Sequence, residues 1–302
     1  MHQLKNFSKT IFGKPGKCQT FVISPKCFMK NLLAFLVLLT ILFACNNNGT
    51  HITSEQQTQD SLQRLLLSYR DSLKIHPTDT LLKYNLVLTL QEAGRYKEAV
   101  NVLDSMNITM MGDSTQMKVY LNYLFKRSEL LVLAGDTANA IKTLEFFIIP
   151  GELTEAGLQL ANLYAETRNP KTIAFCDSMN KNDESKKDPN PDYLKGVYYY
   201  NIGDHSKALE LFNSCIKKDY TFLDAYMEKG NILYKQSKFK EAMDVFDIAI
   251  KVSNTFADAH LWKGKCQEAL GQKEEAKISY QRAFAFDKTL TEAKEAADRI
   301  KN

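Results

Sequence analysis

The residues of this chain that could perform chemistry are its histidines and cysteines. None of the five histidines pairs with a Cys, Asp or Glu at the spacing of a metal site. Cys176, Cys215 and Cys266 fall in predicted helices, where no activating partner for a nucleophile is expected. An oxidising compartment would permit a disulfide, but positions in helix cores favour packed thiols. We therefore predict no catalytic residue, no cofactor and no metal.

Cys45 stands at the end of an apolar run, residues 31–44, that follows Lys30. The run is too short for a comfortable membrane span and has the length of a signal-peptide core. Its last residues resemble a bacterial lipobox, which here reads Leu42-Phe43-Ala44-Cys45. The resemblance implies that residues 1–44 are removed and that Cys45 carries acyl chains such as palmitate. Several acyl chains anchor a protein stably in a membrane, whereas one does not.

Other interpretations of the N-terminal residues stay open. Phe43 is bulkier than is usual in a lipobox, and a plain signal peptide or single anchor helix is the alternative to lipidation. A signal peptide typically starts as Met29-Lys30 does, so residues 1–28 are either an over-called start or a long basic leader. Residues 45–60 are polar and predict a flexible tether. They carry no acidic cluster directly after the cysteine, which favours a protein that faces the periplasm.

The net positive charge of the chain comes from its N-terminal residues. The full sequence has a formal net charge of +4, but residues 1–44 contain six Lys and no acidic residue. The remainder is close to neutral. A basic patch for nucleic acid is therefore not expected.

A 34-residue repeat organises the C-terminal part of the chain. Glycine recurs at this interval at Gly196, Gly230 and Gly264. Three further columns keep the interval: Ala208, Ala242 and Ala276; Phe212, Phe246 and Tyr280; Cys215, Ala249 and Ala283. Each copy reads as helix, short turn, helix. Self-similarity at such a period predicts a solenoid, in which each unit buries its apolar face against its neighbours.

These columns resemble the tetratricopeptide repeat. Gly230 and Ala242 are small where two helices of one hairpin approach closely, and Phe246 is expected to fill the gap to the next hairpin. The resemblance implies an all-α, right-handed superhelix of antiparallel hairpins. The sequence departs from the pattern at two positions. The fourth position, typically Trp, holds Asp192, Tyr226 and His260, and the thirty-second, typically Pro, holds Tyr220, Asn254 and Lys288.

The array extends in both directions from the regular copies. Residues 61–188 predict a first helix that ends before Pro77, units at 81–106 and 119–147, and a degenerate unit at 153–179. Residues 180–192 are charged and predict a loop. Residues 189–302 hold three regular units and a capping helix at 291–300. The prediction is therefore about six hairpins and a cap.

Partner binding would use the first helices, which line a concave groove in the family that the repeats resemble. Eight residues stand at groove columns: Tyr193, Tyr200, Met227, Asn231, Tyr234, Leu261, Lys265 and Glu268. Aromatic residues and Met are enriched where partners dock. One subfamily holds a carboxylate with Lys and Asn at the fifth and ninth positions. Tyr193 and Val197 stand there instead in the first regular unit, so that clamp is not expected.

Seven tripeptides have Asp followed by Ser or Thr and then an apolar residue or Thr. They begin at Asp60, Asp71, Asp79, Asp104, Asp113, Asp136 and Asp177. They resemble the acceptor motif of a bacterial O-glycosylation system. The alternative is helix capping, since Asp and Ser are preferred at helix N-termini, and Asp79, Asp113 and Asp136 stand where helices should begin.

The sequence favours a protein-interaction scaffold of the bacterial envelope, tethered by lipid at Cys45, with a protein or peptide partner. The alternative is a solute- or glycan-binding lipoprotein that stacks sugar rings on its groove tyrosines. A repeat fold alone does not choose between them.

Overall fold

The computed structural model describes residues 54–106, 114–150, 154–182 and 187–300, and all regular structure in these ranges is helical. The helices are α1 (Ser54–Ile75), α2 (Thr80–Glu92), α3 (Tyr96–Asp104), α4 (Ser114–Leu133), α5 (Thr137–Phe147), α6 (Glu155–Glu166), α7 (Lys171–Asn182), α8 (Asn190–Asn201), α9 (His205–Lys218), α10 (Leu223–Lys235), α11 (Phe239–Val252), α12 (Ala257–Ala269), α13 (Lys273–Phe286) and α14 (Thr291–Arg299). The leader, the proposed anchor at Cys45 and the tether up to residue 53 lie outside the described residues.

The predicted all-α class is confirmed. After α1, six helical hairpins follow in order from α2/α3 to α12/α13, and α14 closes the described chain. The predicted loop at 180–192 was too long, because α7 continues to Asn182 and α8 begins at Asn190. Pro191 lies in the first turn of α8, where a missing backbone N–H costs nothing.

The chain divides into two compact units. Unit 1 comprises the described residues up to 149 and residues 154–160, and unit 2 comprises the described residues from 161 onward together with Pro150. The boundary therefore falls within α6. The change at residue 188 from degenerate to regular repeats is a property of the sequence and does not coincide with this division.

In unit 1, each helix from α1 to α4 packs on the helix that follows it. Leu66, Leu90 and Leu144 are at most 1% exposed and belong to its core. The side chains of Asp79 and Asp136 accept hydrogen bonds from the backbone N–H groups of Leu82 and Asn139 and so cap α2 and α5. The capping interpretation is therefore confirmed at these two positions, whereas Asp113 lies outside the described residues.

A polar network joins the two hairpins of unit 1. Arg127 on α4 forms an ion pair with Asp104 at the end of α3, with Nε 2.9 Å from Oδ1. The Tyr123 hydroxyl donates to the same Oδ1 at 2.9 Å, and Arg127 Nη1 donates to Thr143 on α5 at 2.7 Å. Burial and the hydrogen bond to Asp104 raise the pKa of Tyr123 to about 12. The network therefore ties α3 to the hairpin that follows it.

In unit 2, glycine and aromatic residues meet within each regular hairpin. A Cβ placed on Gly196 would stand 2.6 Å from the Phe212 ring, and one on Gly264 would stand 2.7 Å from the Tyr280 ring. Gly230 meets Phe246 in the same way. Phe246, which was predicted to fill the gap to the next hairpin, lies beside Trp262 of that hairpin and also on the glycine of its own hairpin. Because each ring lies on the glycine of its own hairpin, the glycine and aromatic columns recur together in every regular repeat.

The residues at the two positions that depart from the repeat pattern are hydrogen-bonded to each other. At the fourth position, the Tyr226 hydroxyl donates to the backbone carbonyl of Tyr220 at 3.1 Å, and His260 Nε2 lies 2.9 Å from the carbonyl of Asn254. Tyr220 and Asn254 are the residues that replace Pro at the thirty-second position. A side-chain hydrogen bond thereby connects the two positions that depart from the pattern.

Candidate partner-binding surface

The first helices of the regular hairpins, α8, α10 and α12, present one side to the second helices α9, α11 and α13. We call the opposite side the first-helix face of unit 2. Asp192 shows which side is which, because it is 7% exposed and pairs with Lys218 and Ser214 of α9 at 2.9 and 2.8 Å. Burial acts to raise the pKa of Asp192, but hydrogen bonds from these two side chains lower it below its usual value.

Three of the predicted groove residues are buried. Tyr193, Met227 and Leu261, all at the fifth position, are 6%, 9% and 4% exposed. The Tyr193 ring lies 5.8 Å from Phe212 and 5.2 Å from Phe222, between centroids. Tyr193 is therefore not an exposed groove residue, because Phe222 in the loop before α10 lies against its ring. Burial, with the negative charges of Glu228 and Asp224, raises the Tyr193 pKa well above its ordinary value.

The two remaining tyrosines are partly buried and already have neighbours. Lys235 Nζ lies 4.9 Å from the centroid of the Tyr200 ring and also donates to its hydroxyl. The Tyr234 ring meets the rings of Phe239 and Trp262 edge-on, with centroids 5.2 and 5.4 Å apart. Neither ring therefore offers a free, flat face.

Lys265 and Glu268 are used by the capping helix. Lys265 Nζ lies 2.7 Å from Glu292 Oε1, and Arg299 Nη2 lies 2.7 Å from Glu268 Oε1. Glu268 also accepts a hydrogen bond from the Tyr280 hydroxyl at 2.8 Å. The polar groove positions of the last hairpin thus hold α14 in place.

Asn231 has an unmet hydrogen bond. Its Oδ1 is buried and accepts no hydrogen bond from the described residues. Of the eight groove residues predicted from the sequence, Asn231 is the one with a buried side-chain oxygen that accepts no hydrogen bond from the described residues. A buried carbonyl without a donor is costly, so it favours a ligand that supplies one.

Two aspartates at groove columns of unit 2 are not among the eight residues predicted from the sequence. Asp224 and Asp258 stand at the second position of successive repeats, 34 residues apart, and Asn190 holds that position in the hairpin before them. Burial and the neighbouring charge of Asp258 raise the pKa of Asp224 to about 6. Counting from the glycine columns would have placed all three residues on this face.

An apolar stripe in unit 1 was missed as well. Leu81, Tyr84 and Leu88 are 67%, 39% and 36% exposed on α2. Counted back from Gly94, they hold the second, fifth and ninth positions of their repeat, which are groove columns. At a spacing of three and four residues, their side chains share one side of the helix. The degenerate repeat therefore exposes three apolar side chains at its groove columns.

Two segments of the chain match models of a known repeat family. Residues 193–255 and 257–289 match two models described as tetratricopeptide repeat. These two segments are tetratricopeptide repeats. The predicted resemblance is thus confirmed for the regular copies. Tetratricopeptide repeats are a scaffold fold for protein–protein interaction and bind peptides or proteins. No curated protein sequence matches this chain significantly.

One of the similar solved structures supports the same fold beyond the matched repeats. A tetratricopeptide repeat protein from Parabacteroides merdae ATCC 43184 has a TM-score of 0.56 at 18% identity, over 81% of this chain and 94% of that chain. MamA has a TM-score of 0.43 at 18% identity, over 55% and 96%. YrrB, described as a TPR protein with an unusual peptide-binding site, has a TM-score of 0.36 at 12% identity, over 76% and 97%. The first of these similarities supports the fold alone.

The described ranges were also searched for a metal site, a membrane-spanning helix and reactive cysteines. Within them, no group of three or more His, Cys, Asp or Glu could hold a metal ion. No helix there is long and apolar enough to span a bilayer. Cys176, Cys215 and Cys266 are buried and free, as predicted. Burial raises the pKa of Cys176 and of Cys266 to about 12 and that of Cys215 still further.

Proposed function

We propose that this chain is a membrane-tethered interaction scaffold of the bacterial cell envelope, which holds a protein partner on the first-helix faces of its repeats. The observation that carries the proposal is the exposed stripe of Leu81, Tyr84 and Leu88 on α2. Its three side chains span about 10 Å along the helix. Apolar surface that is contiguous and exposed marks binding sites in soluble domains.

The chemistry of the stripe favours a protein segment over a sugar. Leucine offers no hydrogen bond and no flat ring, so Leu81 and Leu88 suit apolar side chains spaced about one or two helical turns apart. A glycan site would need exposed aromatic faces, but Tyr193 is buried and Lys235 lies against the Tyr200 ring. We therefore do not propose the sugar-binding function.

A site-specific photo-crosslinker in place of Tyr84 tests the proposal in the native host. We expect a discrete adduct whose partner is the same in repeated preparations and which disappears in Leu88→Glu. The matched control carries the crosslinker at Ile278, which is 51% exposed on the second helix α13. Adducts that also form at Ile278, or that persist in Leu88→Glu, would contradict docking on the stripe.

The tether part of the proposal is supported by the lipobox resemblance at Cys45, outside the described residues. Metabolic labelling with an alkyne palmitate analogue should mark the wild-type chain and leave Cys45→Ser unlabelled. The same variant should keep its leader or leave the membrane fraction. Equal labelling of both proteins would show that Cys45 is not the anchor.

A further inference from the structure

The turns between the two helices of each hairpin form one edge of unit 2. The turns α6/α7, α8/α9 and α10/α11 lie side by side there, because consecutive helices pack on one another. The side-chain amide of Asn201, at the end of α8, donates to the backbone carbonyl of Ala165, near the end of α6, at 3.1 Å. Lys235, at the end of α10, donates to the hydroxyl of Tyr200, near the end of α8. The three turns therefore form a continuous surface.

Six basic residues on and directly beside these three turns are all exposed. We call them the basic edge of unit 2, and they are Arg168, Lys171, Lys207, Lys235, Lys238 and Lys240. Three acidic residues share the same turns or their flanks: Glu166, Asp204 and Glu241. Asp204 is already used as the N-cap of α9, where its side chain accepts a hydrogen bond from the backbone N–H of Lys207. Positive charge is therefore in excess at this edge.

The cations of the basic edge differ from those elsewhere in unit 2. Away from this edge, five basic residues form ion pairs with carboxylates at 2.6 to 3.0 Å: Lys195, Lys218, Lys263, Lys265 and Arg299. Among the described residues, no such pair holds Arg168, Lys207, Lys235, Lys238 or Lys240. Lys207 Nζ lies instead 4.5 Å from the centroid of the Tyr199 ring, and Lys235 Nζ lies 4.9 Å from that of Tyr200. Carboxylates of the chain thus leave this positive charge available to a partner.

The excess of positive charge lies on one side of the hairpins. At the opposite edge, the loops α9/α10 and α11/α12 carry equal numbers of basic and acidic residues, which are Lys217, Lys218, Lys251, Asp219, Asp224 and Asp258. A charge that is spread evenly over a surface serves solubility. A charge gathered on one side attracts and orients an anionic partner.

An apolar side chain stands at the tip of the middle turn. Ile202 directly follows α8 and is 46% exposed. Tyr199 and Tyr200 lie next to it in sequence, each with a lysine over its ring. Lysines, tyrosines and an exposed apolar tip are the residues that proteins place at the interface of a bilayer, where rings lie at headgroup level and lysines reach the phosphates. A row of turn tips suits a layer of headgroups better than an extended peptide, which is bound in a groove.

We propose that the basic edge of unit 2 docks on an anionic membrane surface. Its lysines approach headgroup phosphates as point charges, and Ile202 enters the interface between the headgroups. The inference goes beyond the proposed scaffold function, since it uses a different surface from the stripe on α2 and needs no protein partner. It adds to the proposed tether at Cys45 a second membrane contact, which the folded repeats make themselves.

An environment-sensitive fluorescent amino acid in place of Ser206, on the α8/α9 turn, tests the docking with the purified full chain. The chain is reconstituted with vesicles of phosphatidylcholine, or of phosphatidylcholine and phosphatidylglycerol in equal parts, both with brominated acyl chains as quencher. Quenching should be at least twofold greater in the anionic vesicles, and high salt should abolish the difference. The matched control carries the probe at Thr255, which is exposed in the α11/α12 loop of the opposite edge. Equal quenching at both positions, or of the Ser206 probe in both kinds of vesicle, would overturn the inference.

Charge variants locate the docking on the surface. Replacing Lys235, Lys238 and Lys240 together by Gln should remove the effect of lipid charge and leave the circular dichroism spectrum unchanged. The matched control replaces three exposed lysines of the opposite edge by Gln: Lys217, Lys251 and Lys288. Equal losses in the two triple variants would overturn the site. A Ser206 probe that ignores lipid charge but responds to a Glu-rich peptide would make the partner an acidic protein and would also overturn the inference. Crosslinking at Tyr84 and labelling at Cys45 are separate readouts, so the proposed function would stand in either case.

Discussion

The Tyr226 hydroxyl donates to the backbone carbonyl of Tyr220 at 3.1 Å. Tyr226 is 5% exposed, whereas the side chain of Tyr220 is 70% exposed. The bond therefore joins a buried phenol of α10 to the loop that precedes α10. It holds this loop against the helix. Its two residues occupy positions where tetratricopeptide repeats typically hold Trp and Pro.

Replacing Tyr226 by Phe should destabilise unit 2 by about 1 kcal/mol. The substitution removes one hydrogen bond and leaves the carbonyl of Tyr220 without its donor. Tyr220→Phe is the matched control, since it deletes the same hydroxyl from a residue that contributes only its backbone to the bond. Urea denaturation followed by circular dichroism measures both. Equal effects of the two variants would show that the bond does not matter.

Gly230→Ala should destabilise the chain by ~1–2 kcal/mol, although Ala is the better helix former. A helical Gly→Ala change ordinarily stabilises by up to about 1 kcal/mol. Here the added methyl group would overlap the Phe246 ring, and overpacking of this kind costs ~1–3 kcal/mol. Phe246→Leu should remove most of the overlap, so a double-mutant cycle in urea should show strong coupling. A stabilising Gly230→Ala would refute the contact.

Asp224→Asn should stabilise the folded chain at neutral pH. Burial and Asp258 raise the folded-state pKa of Asp224 from 3.8 to about 6, so ionisation above that pH disfavours folding. The penalty is fully present above pH 6, shrinks as the pH falls through this range and is absent below about pH 4. The stabilisation by Asn is at most ~3 kcal/mol.

Thermal denaturation at pH 7.5 and pH 4 measures this effect. The melting temperature of Asp224→Asn should exceed that of the wild type at the higher pH and match it at the lower. Asp244→Asn, which removes the same charge from an exposed position on α11, should leave the melting temperature close to that of the wild type at both. A pH-independent gain would mean that packing, and not charge, is responsible.

The three described cysteines should resist alkylation in the native chain. Their thiols are buried, and burial raises their pKa values, so little thiolate forms at pH 8. Iodoacetamide labelling followed by peptide mass spectrometry should find Cys176, Cys215 and Cys266 unmodified without denaturant and fully modified in guanidinium chloride. Native labelling of Cys215 would contradict its position in the core.

Much of the fold could be predicted because three tandem copies repeat the same physical constraint. Gly196, Gly230 and Gly264 each lie under an aromatic ring of the same hairpin, so their column is visible in the sequence. The helix pairs follow from that column and from the apolar periodicity. The predicted end of the charged loop at residue 192 is wrong because Pro191 lies in the first turn of α8, where a proline is compatible with a helix.

The candidate surface was harder to predict. A repeat column shows on which side of a helix a residue lies, but it does not show which residues from other elements cover that residue. Tyr193 is buried by Phe222, a loop residue that no repeat column marks. Lys265 and Glu268 are held by α14, whose pairing with α12 cannot be read from a single repeat. Leu81, in contrast, could have been found by counting columns back from Gly94.

The capping helix has a consequence for assembly. Leu290, Ala293 and Ala297 of the α14 region complete the core cluster of the last hairpin and are at most 8% exposed. A stack of like units could otherwise accept another copy at that end and grow head to tail into an open filament. The short helix α14 covers the apolar side of the last described hairpin, so no repeat core is left open there for a further copy to stack on.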